Sequence, residues 1–259
     1  ALMVHPAGSE VERITSLAVQ QVRVVYHGAA AHAAAAPEKG INALDGAVLG
    51  YVNVAALRQH IAPDERIHGI FIDGGQKANI VPERAEASWY ARSPTRARLE
   101  LLQQRLLACL EAGAAAAGCT MDHEWIEPSY DDVVDSRPIL DRYLVNARSL
   151  GRDPRPDSEV AIVGSTDLGN VSYLVPAIHP MIKAAPEEVV IHTTAFAACA
   201  GGPEGDQAVL DGAKAMAMTL IKASIGLTPY NLPHRKAGFL IPALGSRVPP
   251  ISSPLLPTA

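Results

Sequence analysis

Strand-like and helix-like patterns alternate between Leu17 and Pro128 in the order strand, helix, strand, strand, helix, strand. This order constrains the fold more than any other feature, because short connections leave few ways to arrange four strands and two helices. It predicts a split, ferredoxin-like βαββαβ sandwich with both helices on one face of an antiparallel sheet. The opposite face of that sheet is then free to meet a partner.

The four predicted strands are β-branched, aromatic or alternating runs. They cover Val22–Tyr26, Ile67–Ile72, Arg84 to Ala91 and Thr120–Ile126. The first helix is indicated by apolar residues at helical spacing from Leu44 to Leu57. The second is indicated by leucines at helical spacing after Leu99, with Thr95 as its N-cap and Gly118 at its end.

A run of small residues, Gly28 to Ala36, connects the first strand to the first helix and carries His32 as its one titratable side chain. Because small side chains let another surface approach the backbone closely, this segment can present an imidazole to a group outside its own strand and helix. An alanine-rich connector with an incidental histidine explains the same residues equally well, since histidine is versatile rather than diagnostic.

Two polar side chains border the third strand. Asn79 lies in the connection before it, where its amide can both donate and accept a hydrogen bond. A turn residue that tolerates unusual backbone angles is the alternative. Arg92 closes the strand, and its guanidinium can bind a carboxylate in a bidentate way. A surface ion pair with a nearby acid is the common alternative for this arginine.

A second unit is predicted from Ser129 to Leu227. Its helices are expected around 139–147, ending at Gly151, and over 206–225. Between these helices, the hydroxyl of Ser165 or of the threonine that follows it can cap a short helix.

His192 follows the apolar run Val189–Ile191, which predicts a strand that gives way to a helix. A side chain at a strand end is held firmly and is open to a ligand, so this position suits a metal ligand. A serine hydrolase is a further interpretation, in which Ser165 is the nucleophile and Asp167 acts with His179 or His192. The chain has no G-x-S-x-G elbow to support it.

Charge and composition exclude several classes of protein. A net charge of −5 and a pI near 6.0 leave no basic stripe for a nucleic-acid partner. We expect neither a membrane span nor a signal peptide, because the chain lacks a run of about 18 apolar residues and a charged leader. Cys109, Cys119 and Cys199 are widely separated, so a reducing, cytoplasmic location is expected without a disulfide framework or a cysteine zinc site.

The two ends of the sequence differ from the rest. Ala1 to Val4 are apolar and are closed by His5-Pro6, which predicts an interior strand. Since natural chains rarely begin in mid-core, we expect a longer or processed native chain. Prolines recur from 228 to 259, and this proline-rich tail predicts turns or extended segments rather than a regular helix.

Short motifs recur in a fixed order from residue 1 to about 227. They are Met3-Val4-His5-Pro6, Gly28 to His32, Gly40 to Leu44, Leu57-Arg58-Gln59, Asp73 to Gln76, Asn79 to Pro82, Tyr90-Ala91-Arg92, Gly164 to Tyr173, Ile178-His179-Pro180 and His192-Thr193. In this order they resemble the peptidase family M20 amidohydrolases, in the branch that holds the B-type chain of p-aminobenzoyl-glutamate hydrolase and related dipeptidases. Each motif is weak by itself, and the order makes the resemblance specific.

The resemblance implies a partial two-domain α/β fold. The chain would hold the C-terminal part of an α/β catalytic domain, in residues 1–18 and 129–227, and an inserted ferredoxin-like lid domain in residues 19–128. In this family, lids pair to form a homodimer.

The resemblance also implies roles for individual residues. His5 and His192 match metal ligands. His32 matches a catalytic lid histidine that reaches the site of the partner protomer and stabilises the tetrahedral oxyanion. Asn79 and Arg92 match lid positions that bind the carbonyl and the carboxylate of the substrate.

The implied function is metal-dependent hydrolysis of the amide bond of N-acyl amino acids or small dipeptides, with one or two divalent ions, zinc or manganese. The general-base glutamate and the other metal ligands of the family match no residue in this chain. Two imidazoles fall short of the three protein ligands of a hydrolytic zinc site, so we expect residues 1–259 alone to be inactive.

Two other interpretations make different predictions. A non-catalytic dimerisation or binding module derived from such an enzyme would not need His5 or His192. The serine hydrolase predicts that Ser165 is essential and that chelators have no effect.

Overall fold

The computed structural model describes residues 1–159 and 163–226 of the chain. The predicted proline-rich tail lies outside the described residues. In chain order the elements are β1 (His5–Ala7), β2 (Thr15–Ser16), β3 (Ala18–His27), α1 (Ala43–Leu57), β4 (Arg66–Asp73), β5 (Arg84–Ser93), α2 (Arg96–Ala117), β6 (Thr120–Tyr130), α3 (Arg137–Ser149), β7 (Val163–Gly164), α4 (Leu168–Ser172), β8 (Met181–Lys183), α5 (Thr194–Ala200) and α6 (Pro203–Gly226). Two short 3-10 turns, Pro37–Lys39 and Arg58–His60, flank α1.

Residues 18–130, called the sheet unit below, form the predicted βαββαβ sandwich. Their four strands lie in the order β4-β5-β3-β6, and every neighbouring pair is antiparallel. This order places the first and third strands of the unit at the centre and leaves β4 and β6 as the two edges. The ferredoxin-like prediction is therefore confirmed.

One face of the sheet and the two helices form the core of the sheet unit. Alternate residues of the central strands are buried on that face, as the period of two requires. The main core residues are Val22, Val24, Tyr26, Ala87, Trp89, Leu99, Leu102, Leu106 and Leu110. The leucines at helical spacing that predicted α2 are thus the residues that cover the sheet.

Local hydrogen bonds begin and end these helices. The hydroxyl of Thr95 accepts from the backbone N–H of Arg98, and Gly118 ends α2 with φ of 72°, as the sequence predicted. The side chain of Asn42 caps α1 by accepting from Leu44 and Asp45.

Glycines allow α1 and α2 to approach each other closely. A Cβ atom added to Gly113 of α2 would lie 2.3 Å from the backbone N of Gly50 in α1. Such a contact is far inside van der Waals distance, so only glycine fits this crossing. The two helices consequently form one stiff layer on the sheet.

The other described residues, called the body below, contain two short parallel strand pairs. His5 of β1 pairs with Met181 of β8, and Thr15 of β2 pairs with Val163 of β7. The predicted strand at Ala1 to Val4 is displaced along the chain: Leu2 makes a single bridge, to Ile178, and the regular strand begins at His5. Helices α3 and α6 pack together through Leu140, Tyr143, Leu144, Ile178 and Ala215.

The chain crosses between the body and the sheet unit twice, and both crossings contact the segment that carries α4. Leu17 donates its backbone N–H to the carbonyl of Gly164 at 2.8 Å. At the second crossing, the side chain of Asn170 accepts from the N–H of Asp131 and donates to the carbonyl of Ser129. The 164–173 segment therefore connects the two crossings.

Among the described residues, no helix has the length and apolar character needed to cross a membrane.

Candidate functional site

His32 lies in the turn after β3, where backbone hydrogen bonds orient its ring. The N–H groups of Ala34 and Ala35 point to Nδ1 of His32 at 3.3 and 3.2 Å. Because a backbone N–H can only donate, Nδ1 must be the unprotonated nitrogen, and the ring carries its hydrogen on Nε2. The exposed ring therefore offers a neutral N–H donor.

Asn79 lies beside His32 because the two connecting segments pair through their backbones. His32 forms an antiparallel bridge with Ile80, and the N–H of Ala33 donates to the carbonyl of Asn79 at 3.0 Å. The Asn79 side chain is exposed and makes no hydrogen bond with any described residue. The structure thus brings together two of the predicted site residues at one end of the sheet unit.

Arg92 lies at the opposite end of the sheet unit, beside the body. Its Nη1 donates to the Ser165 hydroxyl at 3.1 Å, and its guanidinium lies 5.8 Å from the centre of the Tyr90 ring. Within the described part of the chain it forms no ion pair with an acid, which contradicts the surface ion-pair alternative. The guanidinium keeps donors for a carboxylate of another molecule.

These two groups are far apart within one chain. Eight residue steps of β5 separate Arg84, next to the His32 end, from Arg92. At the rise of an extended strand this is about 26 Å. One chain alone does not place His32 and Asn79 on a small substrate that Arg92 holds.

His5 has the geometry of a metal-binding imidazole. It is half-buried in β1, and its Nδ1 lies 2.8 Å from the carbonyl oxygen of Pro6. A carbonyl only accepts, so Nδ1 carries the hydrogen and Nε2 keeps its lone pair. Metal-ligating histidines are oriented by this kind of hydrogen bond from the other ring nitrogen.

His192 does not follow a strand, and the prediction of a strand over Val189–Ile191 is wrong. This segment is a turn whose apolar side chains pack on the core of the body. His192 has φ of 64°, in the left-handed region that few residues other than glycine adopt. Thr193 then caps α5 by accepting from Phe196. His192 is exposed directly before that helix.

The nitrogen ligands of His5 and His192 suit zinc or manganese in kind. Across residues 1–159 and 163–226, however, no group of three or more His, Cys, Asp or Glu side chains could hold a metal ion. The described residues therefore do not complete a metal site, and we derive no catalytic step through a metal from them.

The arrangement around Ser165 contradicts a serine nucleophile. Its hydroxyl donates to the carbonyl of Leu17 at 2.7 Å and accepts from Arg92. Neither ring nitrogen of His179 has a hydrogen-bond partner among the described residues, so no histidine takes the proton of this serine. Ser165 instead connects the body to the sheet unit.

The sequence did not single out Asp135, and it treated His179 only as a partner for a serine. His179 is 2% exposed, and burial followed by the nearby His5 lowers its pKa to about 4. Burial raises the pKa of Asp135 to about 6. The motif Ile178-His179-Pro180, a histidine inside an apolar run, was the signal in the sequence.

Comparison with known proteins agrees with this arrangement. Residues 18–117 match the peptidase dimerisation domain of the M20 type. The Xaa-Arg dipeptidase of Mus musculus is 39% identical over 223 residues, which are 85% of this chain and 51% of the relative. The chain belongs to the M20 family of peptidases. The M20 chain described here spans about half the length of the curated relatives it matches.

A second relative covers less of the chain. The B-type chain of the p-aminobenzoyl-glutamate hydrolase of Escherichia coli (strain K12) is 31% identical over 124 residues, which are 47% of this M20 chain and 26% of the relative. Both relatives carry the names of hydrolases, and the comparisons give no support to a non-catalytic binding module.

Solved structures share the fold. An aminobenzoyl-glutamate utilization protein from Klebsiella pneumoniae superposes with a TM-score of 0.63 at 19% identity, over 85% of this chain and 53% of the other. A putative aminohydrolase from methicillin-resistant Staphylococcus aureus gives a TM-score of 0.67 at 13% identity, over 85% and 58%. These likenesses confirm the mixed α/β fold of the M20 chain.

Proposed function

We propose that this chain supplies the lid and the C-terminal part of the catalytic domain of a metal-dependent amidohydrolase. Residues 19–128 serve as the lid, and residues 1–18 and 129–227 belong to the catalytic domain. The reaction is hydrolysis of the amide bond of N-acyl amino acids or small dipeptides. The names of the relatives support this reaction, and the Xaa-Arg dipeptidases make dipeptides that end in arginine the first substrates to test.

The hydrogen bonding of His32 is the observation that carries this proposal. Two backbone N–H groups hold Nδ1 as an acceptor, so the exposed Nε2 is a neutral donor. Amide hydrolysis passes through a tetrahedral intermediate whose oxyanion is stabilised by a fixed N–H donor. An incidental histidine in a connector would have no need of this orientation.

The remaining residues take roles that suit their positions. Asn79, beside His32, has an exposed amide that can bind the substrate's carbonyl. Arg92, with no acidic partner among the described residues, binds the substrate's carboxylate. His5 and His192 bind a divalent ion, zinc or manganese, which when bound polarises the amide carbonyl.

A homodimer resolves the separation between the two ends of the sheet unit. The distance of about 26 Å along β5 keeps His32 and Asn79 away from Arg92 of the same chain. In the proposed dimer, His32 and Asn79 of one protomer reach the body of the other. Each complete site then uses residues of both protomers.

The edge strand β4 is the surface proposed for this pairing. Ile70, Phe71 and Ile72 are 67%, 42% and 54% exposed along it, and Val48 and Val52 of the neighbouring α1 are also exposed. An exposed apolar edge strand is a template for pairing with another chain. The other edge strand, β6, carries charged side chains such as Asp122 and Glu124, which oppose such pairing.

We further propose a cytoplasmic location, which the three free thiols support.

The experiment uses the protein produced from its native gene. Its intact mass and metal content are measured first, and it is then assayed on Xaa-Arg dipeptides and N-acyl amino acids with and without a chelator. We expect hydrolysis that a chelator abolishes and that zinc or manganese restores. We expect residues 1–259 alone to leave these amides intact, because the described residues do not complete a metal site. Failure of the metal-loaded native protein to hydrolyse any of these amides would overturn the proposal.

A further inference from the structure

Unpaired buried polar atoms are concentrated at one place in the body. Four buried side-chain nitrogen or oxygen atoms of the described residues lack a hydrogen-bond partner. Three of them are Nδ1 and Nε2 of His179 and Oδ1 of Asp135, and the fourth is Nε1 of Trp89 in the sheet unit. Because buried polar groups are nearly always paired in folded proteins, such a cluster calls for a specific explanation.

His179 and Asp135 are direct neighbours. Asp135 forms a bridge with Ala177, and its carboxylate faces the backbone N–H of His179. His179 itself follows Ile178, which is fully buried in the body core. The imidazole is therefore held in place by the backbone on one side and by the core on the other.

The ring of His179 also faces His5. The two ring centres are 5.9 Å apart, with an angle of 66° between their planes. The rings meet edge to face, so they are not stacked. His5 has its Nδ1 bonded to the carbonyl of Pro6, which leaves the lone pair on Nε2.

Packing alone does not account for a histidine at this position. An apolar side chain would fill the same space among Ile178 and its neighbours without leaving two nitrogens unpaired. A buried imidazole with a free lone pair is, by contrast, what a divalent cation binds.

We propose that His179 is a further metal-contacting residue, which binds together with His5 to one divalent cation. This inference rests on the proposed function, in which His5 is a metal ligand. Two imidazoles that bind one zinc ion at about 2.0–2.1 Å have ring centres about 5–6 Å apart, and the observed spacing agrees. Asp135 offers an unused carboxylate oxygen beside His179, the kind of acceptor that orients metal-binding histidines.

The test is a titration of the full chain with Zn2+, followed by nitrogen-15 NMR of the histidine rings and by calorimetry. We expect the ring signals of His5 and His179 to shift together at one equivalent of zinc. His179→Gln is expected to weaken zinc binding at least about tenfold, the range found when groups at metal sites are lost. His123→Gln is the matched control, since His123 is exposed on β6, and it should bind zinc like the parent chain.

The outcomes separate this inference from the proposed function. A shift of His5 without one of His179, or an unchanged zinc affinity in a folded His179→Gln chain, overturns the inference and leaves the proposed function standing. If zinc shifts none of His5, His179 and His192, both are overturned. If His179→Gln does not fold, the ring signals of the parent chain decide by themselves.

Discussion

Arg92 donates a hydrogen bond to the hydroxyl of Ser165, 3.1 Å away, across the boundary between the sheet unit and the body. Ser165 passes the connection on by donating to the carbonyl of Leu17, where the chain first crosses between them. The residue proposed to hold the substrate's carboxylate is therefore fixed at the junction itself. A movement of the sheet unit against the body would move this guanidinium with it.

Replacing Arg92 should weaken substrate binding more than it slows the chemistry. A hydrogen bond to a charged group contributes about 1.5–3 kcal/mol, so Arg92→Ala should raise KM for carboxylate-bearing amides roughly 10- to 100-fold with a smaller change in kcat. Steady-state kinetics of the native protein measure both. Arg105→Ala, which removes an exposed arginine that bonds the carbonyl of His60, should leave KM unchanged. An unaltered KM in Arg92→Ala would remove this residue from the site.

Ser165 is expected to position Arg92 rather than to attack the substrate. Ser165→Ala should raise KM about 2- to 10-fold, through the loss of one neutral hydrogen bond of about 1 kcal/mol, and should keep most of kcat. Ser165→Thr keeps the hydroxyl and should restore KM. A loss of kcat of about 1000-fold or more, combined with insensitivity to chelators, would instead support the serine nucleophile.

His32 should contribute to kcat. Removing one donor to a developing oxyanion costs about 100- to 1000-fold in kcat, so His32→Ala should show a loss of this size in the native protein with little change in KM. The exposed His123 of β6 is the matched control, because His123→Ala removes an imidazole at a place with no proposed role. Equal kcat values for the two variants would rule out oxyanion stabilisation by His32.

The edge strand β4 should determine the oligomeric state. Ile70 is 67% exposed there, and Ile70→Lys introduces a charge that should convert the dimer to a monomer in sedimentation velocity experiments. Val145→Lys, at a residue of α3 with 62% exposure, should leave the dimer intact. A dimer that survives Ile70→Lys would place the interface elsewhere.

Glu86 should make the stability of the sheet unit depend on pH. Hydrogen bonds from Arg23 and then from Arg84 lower the pKa of this buried carboxyl from its ordinary value of 4.5 to about 2. The folded state thus binds the proton less readily than the unfolded state, so this stabilisation is complete above about pH 4.5 and is lost as the pH falls toward 2. Urea unfolding at pH 6 and pH 3 should show a smaller loss of unfolding free energy for Glu86→Gln than for the parent chain. Equal losses would contradict the depressed pKa.

The periodicity of the sequence was sufficient to predict the sheet unit. The leucines after Leu99 recur at helical spacing because they cover the sheet, and Thr95 and Gly118 are local signals whose effect does not depend on distant residues. The alternation of Arg84 to Ala91 likewise follows from one buried face. Each of these features depends on neighbours within a few residues.

The parts that sequence reasoning missed depend on contacts between distant residues. The apolar run Val189–Ile191 has the composition of a strand, yet its side chains are used to cover the body core from a turn. The bond between Arg92 and Ser165 joins residues 73 positions apart, and the contact between His5 and His179 joins different strand segments. No spacing rule relates such pairs, so only the folded chain reveals them.

The two crossings described at the junction lie close together. The N–H of Val133, just after the second crossing, donates to the hydroxyl of Ser16, just before the first, at 2.6 Å. A segment whose two ends are one hydrogen bond apart is an insertion in the mechanical sense: it can be lengthened, exchanged or removed without changing how β1 pairs with β8. The body therefore places almost no demand on the size of the sheet unit, and a short turn from Ser16 to Val133 would reconnect the chain.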